Sequence, residues 1–168
     1  VKMMPNGKVQ IIVCPMFISN ESQLANVDDV FNGILVRGDS TGDVVFYGKG
    51  AGKLPTASAV VADVIDCVKH FKARKYLYWD DGSKEYVEDY LLNGVSMYVR
   101  AKTDNKQTVL KLVNKLFGEV TEITRKNAEK GEFAFVTPKM QEKDIKEKLA
   151  EIAALGVDIK NTIRIGEL

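Results

Sequence analysis

From Gly94 onward the apolar residues switch repeatedly between a period of two and a period between three and four. Val95, Met97, Val99 and Ala101 fall on one side of a strand, with Tyr98 and Arg100 on the other. Val109, Leu110, Val113, Leu116 and Phe117 then mark an amphipathic helix that Gly118 is placed to end. The spacing predicts strands over Val120–Arg125 and Phe133–Thr137, joined by a turn over Asn127–Gly131. Ile145, Leu149 and Ile152 stripe a second helix ending at Gly156, and Val157–Ile165 holds a last strand.

The resulting order, βαββαβ with short connections, is the ferredoxin-like arrangement of an α+β domain, with two helices covering one face of a four-stranded antiparallel sheet. About 75 residues suffice for such a module. Its core is expected to be modest, and its open sheet face or edge favours pairing with another copy. A homodimer or higher homo-oligomer is therefore expected.

Upstream, Lys8–Cys14 is a short β-branched run after an Asn-Gly turn signal and is closed by Pro15, so it reads as a strand. Val30–Arg37 and Val44–Tyr47 are two further β-rich runs on either side of a Gly38–Asp43 turn and form an expected hairpin. Residues 48–55 hold three glycines and a proline. From Thr56 to about Phe71, Val60, Val61, Val64, Ile65 and Val68 recur at helical spacing among small residues. That helix is apolar over a wide arc and calls for cover on more than one side. Residues 72–93, charged and aromatic without clear periodicity, read as a linker. The expected organisation is 1–71, a linker over 72–93, and a module over 94–168.

Composition and charge narrow the classes. The 168 residues are 45% hydrophobic and 28% charged, a balance typical of a globular protein. Lys plus Arg number 24 against 23 Asp plus Glu, which leaves no electrostatic footprint for nucleic acid or an anionic membrane surface. Cys14 and Cys67 lack metal-ligand spacing and are expected to be free thiols in a reducing compartment. No apolar run approaches the roughly 20 residues needed to span a bilayer, and the opening residues lack a signal-peptide core. A cytoplasmic location follows as the expectation, as does a processed or truncated origin, since the richest motif lies close to the initial Val1.

The chemistry concentrates in the glycine segment. Gly50 and Gly52 permit close approach of the backbone, and the helix that follows offers unpaired N–H groups and a positive dipole end to an anion. A Walker loop is excluded, because Tyr47 stands where its first glycine is needed and Leu54 follows Lys53. The Rossmann spacing also fails, with glycines at 48, 50 and 52. A plain turn between strand and helix is the competing reading. His70, the single histidine, reads as a helix-end residue, and Asp63 with Asp66 as a solvated helix face. No catalytic constellation and no metal site emerge from the residues.

Leu24–Val27, Val30–Ile34, Gly38-Asp39 and the run Phe46–Asp63, containing Gly50-Ala51-Gly52, Pro55 and Thr56-Ala57-Ser58-Ala59, stand together in register over about forty residues. This stretch resembles the closing part of the homoserine dehydrogenase catalytic α/β region. The resemblance implies NAD(P)-linked reduction of aspartate semialdehyde to homoserine by the full-length enzyme. It makes Gly50, Ala51 and Gly52 the cofactor-proximal residues, with Pro55, Thr56 and Ser58 shaping the helix entrance. It also implies that the helix packs on a nucleotide-binding domain. In that family the dinucleotide fingerprint, the catalytic lysine and the acidic substrate residues precede this region. No catalytic residue is therefore assigned, and the chain alone is expected to be inactive and to bind no cofactor tightly.

From Gly94 onward the chain is similar to the ACT domains that many homoserine dehydrogenases carry, which implies a small amino acid, threonine, as effector. The matching positions are Asp104, Gln107, Thr108 and Val109. The family's Pro-Gly after the aspartate is replaced here by other residues, and Pro138 replaces a polar one. Amino-acid sensing and a purely structural dimerising module both stay open.

Overall fold

A computed structural model describes residues 1–73, 78 and 81–167. Hydrogen-bond partners rather than local preference decide the first strands. Lys2–Met3 (β1) pairs antiparallel with Val9–Gln10 (β2) across a turn at Gly7. The strand expected over Lys8–Cys14 is thus cut to two residues, because β1 offers no longer a partner. Beyond Pro15, Met16–Phe17 (β3) finds a separate partner near the other end of the chain.

The hairpin appears as expected and is slightly longer. Phe31–Gly38 (β4) pairs with Gly42–Lys49 (β5) in a register that sets Arg37 opposite Asp43 and Phe31 opposite Lys49. Arg37 forks onto Asp43 at 2.6 and 2.7 Å beside the turn. Lys53–Lys69 (α1) follows, three residues earlier at its start than the apolar pattern indicates. Pro55 is its third residue, where the missing N–H costs no helical bond.

Gly94–Lys102 (β6), Lys106–Phe117 (α2), Thr121–Ile123 (β7), Glu132–Val136 (β8), Met140–Gln141 (β9), Glu142–Ala154 (α3) and Asp158–Ile165 (β10) complete the chain. The sheet runs β3-β10-β6-β8-β7, with β9 pairing the start of β6. All its pairings are antiparallel except β3 on β10, where Arg164 faces Met16 and Ile165 faces Phe17. A bulge interrupts β10 between Ile159 and Asn161.

One face of this sheet carries the core. Val95, Met97, Val99 and Ala101 of β6 and Phe133 and Phe135 of β8 pack with Val109, Val113 and Phe117 of α2 and Ile145, Leu149 and Ile152 of α3. Most are residues whose periodicity predicts burial, Leu110 and Leu116 of the expected stripe being only partly buried, and Val99, Val113, Phe135 and Ile145 are fully enclosed. Burying such side chains contributes about 1.5–3 kcal/mol each.

The compact units differ from the linear division at 71 and 94. Val1–Ile18 groups with Gly82–Glu167, and Ser19–Asp81 forms the second unit. Within the larger unit, β3 extends the sheet, Glu88 N–H donates to the Val9 carbonyl, and Asn6 and Gln10 both bond the Glu88 carboxylate. The stretch expected to be a weakly structured linker holds single turns of 3-10 helix at Lys84–Tyr86 and Tyr90–Leu92, capped by Ser83 and Asp89. Its Trp79-Asp80 pair lies outside the described residues.

Candidate functional site

The glycine turn between β5 and α1 comes first. Gly52 holds φ at +124°, a backbone conformation that side chains rarely adopt, and its carbonyl accepts from Thr56 N–H at 3.1 Å to start the helix. No side chain caps this first turn. The N-terminal N–H groups and the dipole of α1, over its 17 residues, therefore meet bare backbone rather than a serine or aspartate oxygen. A Cβ on Gly50 would lie 2.3 Å from the Asn32 amide, so the turn is pressed against β4 by a polar side chain. Gly50, Ala51 and Gly52 are all exposed. An uncapped turn bare of side chains fits the anionic part of a dinucleotide.

Along α1 itself no residue is buried, and Val60, Val64 and Val68 are more than half exposed. A shallow depression of about 350 Å³ on it is lined by Val60, Val64, Cys67, Val68 and Phe71 with Asp63. Every lining residue comes from this one helix and the turn after it, so this is an apolar helix surface and not an enclosed pocket. His70 closes α1, its N–H bonded to the Asp66 carbonyl and its Nδ1 lying 2.9 Å from the Asp66 carboxylate. That local, exposed pair agrees with a helix-end role.

At the start of α2 the expected effector residues divide. Asp104, Gln107 and Thr108 are exposed, whereas Val109 is in the hydrophobic core. Asn105, which sequence reasoning passed over, caps the helix by accepting from Thr108 N–H at 3.2 Å, and Thr103 Oγ accepts from Asn105 N–H. An asparagine two residues before an exposed pair and four before a core valine is a legible capping signal.

The sequence also passed over a groove on the sheet's other face. About 210 Å³ in size, it is bordered by Tyr98, Lys106, Ile123, Arg125, Glu132 and Ala134. Arg125 forks onto Glu132 at 2.6 and 2.8 Å, and these hydrogen bonds hold the Glu132 carboxyl below the usual glutamate range. Among the described residues no group of three or more His, Cys, Asp or Glu is placed to hold a metal, and no helix is long and apolar enough to cross a membrane.

Comparison with known proteins bears on the first 65 residues and on the whole fold. Residues 1–65 match the family model described as homoserine dehydrogenase. The homoserine dehydrogenase of Synechocystis sp. is 55% identical over 60 residues, which are 36% of this chain and 14% of that protein. That of Neisseria gonorrhoeae is 48% identical over 65 residues, 39% of this chain and 15% of that protein. The crystal structure of a homoserine dehydrogenase from Thiobacillus denitrificans superimposes on 94% of this chain with a TM-score of 0.72 at 25% identity. The chain spans only 39% of that structure. The match in sequence through residue 65 and the match in fold across the chain make this chain similar to a portion of a homoserine dehydrogenase.

Proposed function

We propose that this chain serves the NAD(P)-linked reduction of L-aspartate 4-semialdehyde to L-homoserine as one part of a full-length homoserine dehydrogenase. The observation that carries the reading is the uncapped Gly50-Ala51-Gly52 turn at the head of α1, inside the segment that matches the family. The backbone of these three residues would lie against the cofactor, which when bound supplies the hydride. Lys53, the first residue of α1, adds a positive charge at the same helix end. Hydride and proton transfer belong, in this reading, to parts of the full-length enzyme that precede this segment, with no turnover by this chain alone.

A chimera tests this directly. Residues 1–65 of this chain replace the matched segment of the Synechocystis enzyme, and aspartate-semialdehyde-dependent NADPH oxidation is followed. Retained activity that Gly52→Val abolishes supports the reading. A folded chimera without activity overturns it.

The part from Gly94 onward is read as an ACT-type, ferredoxin-like module that promotes homodimerisation. Two functions compete for it. Threonine sensing draws support from the exposed Asp104 and Gln107, whereas a structural role is favoured by Asn105 occupying the Thr108 N–H and by Val109 lying in the core. Calorimetric titration with L-threonine, with sedimentation in parallel, separates them. Saturable heat supports sensing; a folded dimer giving no heat supports the structural role.

A further inference from the structure

We propose that Asn32 is the positioning residue of the glycine turn: its carboxamide, lying against the α-carbon of Gly50, fixes the backbone that the cofactor meets. This rests on the reading of Gly50, Ala51 and Gly52 as the cofactor-proximal residues. It also separates three glycines that look alike in the sequence. Gly48, Gly50 and Gly52 alternate along one short stretch, yet an added methyl group meets something different at each.

At Gly52 the constraint is the backbone itself, since φ of +124° is strained for any residue with a side chain. The nearest neighbour of a Cβ there is the Pro55 ring at 3.4 Å, an ordinary contact. Gly48 and Gly50 lie outside the left-handed range of φ. A Cβ on Gly48 meets nothing within 4 Å. On Gly50 it runs into one side chain, that of Asn32, whose amide nitrogen is nearest, with Cγ at 2.8 Å and Cβ at 3.3 Å. Turning the amide end alone does not clear atoms so close to the root of the side chain. Gly50 is thus held to glycine by Asn32 and not by its own backbone.

The strand register explains why Asn32 lies there. It stands opposite Gly48 across the hairpin, where no side chain faces it, and it leans along the diagonal onto Gly50. Its Nδ2 reaches the Val30 carbonyl only at 3.5 Å, the outer limit of a hydrogen bond, so packing against the turn sets its place. The next residue of β4, Gly33, is pressed by Leu24 and Val27, whose methyl groups come within 2.7 and 2.9 Å of where its Cβ would stand. Those two belong to a single turn of 3-10 helix, Gln23–Asn26, and its C-cap. β4 is gripped beside Asn32, and Asn32 in turn props the strand-to-helix turn. The direction in which the N–H groups at the head of α1 face an anion is therefore set from β4.

The test uses the chimera in which residues 1–65 of this chain replace the matched segment of the Synechocystis enzyme, with KM for NADPH and kcat measured separately. Asn32→Ala should raise this KM about threefold with kcat nearly unchanged, because the turn loses its prop while the reacting groups stay in place. Gly50→Ala should raise it about tenfold. Adding Asn32→Ala to Gly50→Ala should bring KM back close to that of Asn32→Ala alone, as the methyl group enters the vacated space. The same addition should give no relief to Gly52→Ala, whose strain is in the backbone. An unchanged KM in Asn32→Ala, or additive effects in the double variant, overturns the proposal and leaves the cofactor reading standing. A folded but inactive parent chimera overturns both. Should Gly50→Ala fail to fold, the KM of Asn32→Ala decides alone.

Discussion

The rings of Phe17 and Tyr98 meet edge to face, with centroids 5.3 Å apart and planes at 84°. This contact joins β3, from the stretch that matches homoserine dehydrogenases, to the central strand of the C-terminal sheet. Such pairs contribute about 0.5–1.5 kcal/mol beyond the area they bury. A double-mutant cycle of Phe17→Ala and Tyr98→Ala, read by urea denaturation, should give a coupling energy in that range. Additive losses would show that β3 is held by its backbone pairing alone.

Glu142 and Arg164 form the most enclosed ion pair among the described residues, with bonds of 2.6 and 2.8 Å. The Glu142 side chain is 1% exposed, and its hydrogen bonds push the Arg164 guanidinium further above its usual range. Lys146 stands 3.5 Å away as a second cation. Glu142→Ala leaves that charge uncompensated and should cost about 3 kcal/mol in equilibrium unfolding, whereas Glu142→Met with Arg164→Met should cost much less. Equal losses in the two variants would mean that the pair stabilises outright.

Two glycines with nearly equal φ separate backbone strain from crowding. Gly131 sits at +81° with the Thr103 carbonyl 2.4 Å from where a Cβ would stand, and Gly156 at +83° has open space there. Both alanine variants bear the left-handed conformation, about 1 kcal/mol. Gly131→Ala must in addition displace the Thr103 backbone, whose N–H donates to the Gly131 carbonyl at 3.0 Å, so its midpoint of thermal unfolding should fall well below that of Gly156→Ala. Matching midpoints would show that the Thr103 turn yields freely.

The Glu132 carboxyl is held below its ordinary range, first by hydrogen bonds from Arg125. Because its folded pKa is depressed, the stability it contributes is present above the ordinary glutamate pKa of about 4.3 and is lost as pH falls through the lower folded value. Glu129 is depressed in the same direction by Lys102. Stability measured from pH 6 down to pH 2 should therefore drop in that acid window, and Glu132→Gln should flatten part of the drop. An unchanged slope in the variant would assign the acid sensitivity to other carboxylates.

Much of this architecture is written in local pattern. Val95, Met97, Val99 and Ala101 alternate in sequence and are all buried, and Ile145, Leu149 and Ile152 recur at helical spacing and are all in the core. Burial on one face imposes these periods, so they survive as a readable signal. The Gly-Ala-Gly turn and its helix were legible for a similar reason, since a backbone at φ +124° before an uncapped helix admits little besides glycine.

What the sequence could not settle depends on partners far along the chain. Residues 8–14 have the composition of a full strand, yet only Val9 and Gln10 are paired, and β3 joins β10 across almost the whole length of the molecule. Strand length is decided by an available edge, which no local preference encodes. The groove beside Tyr98 was equally hidden, because its lining comes from β6, α2, β7, β8 and the segment before β8, and each residue alone reads as ordinary. Periodicity determined which faces are buried; only the tertiary structure determined which edges meet and which distant side chains come together.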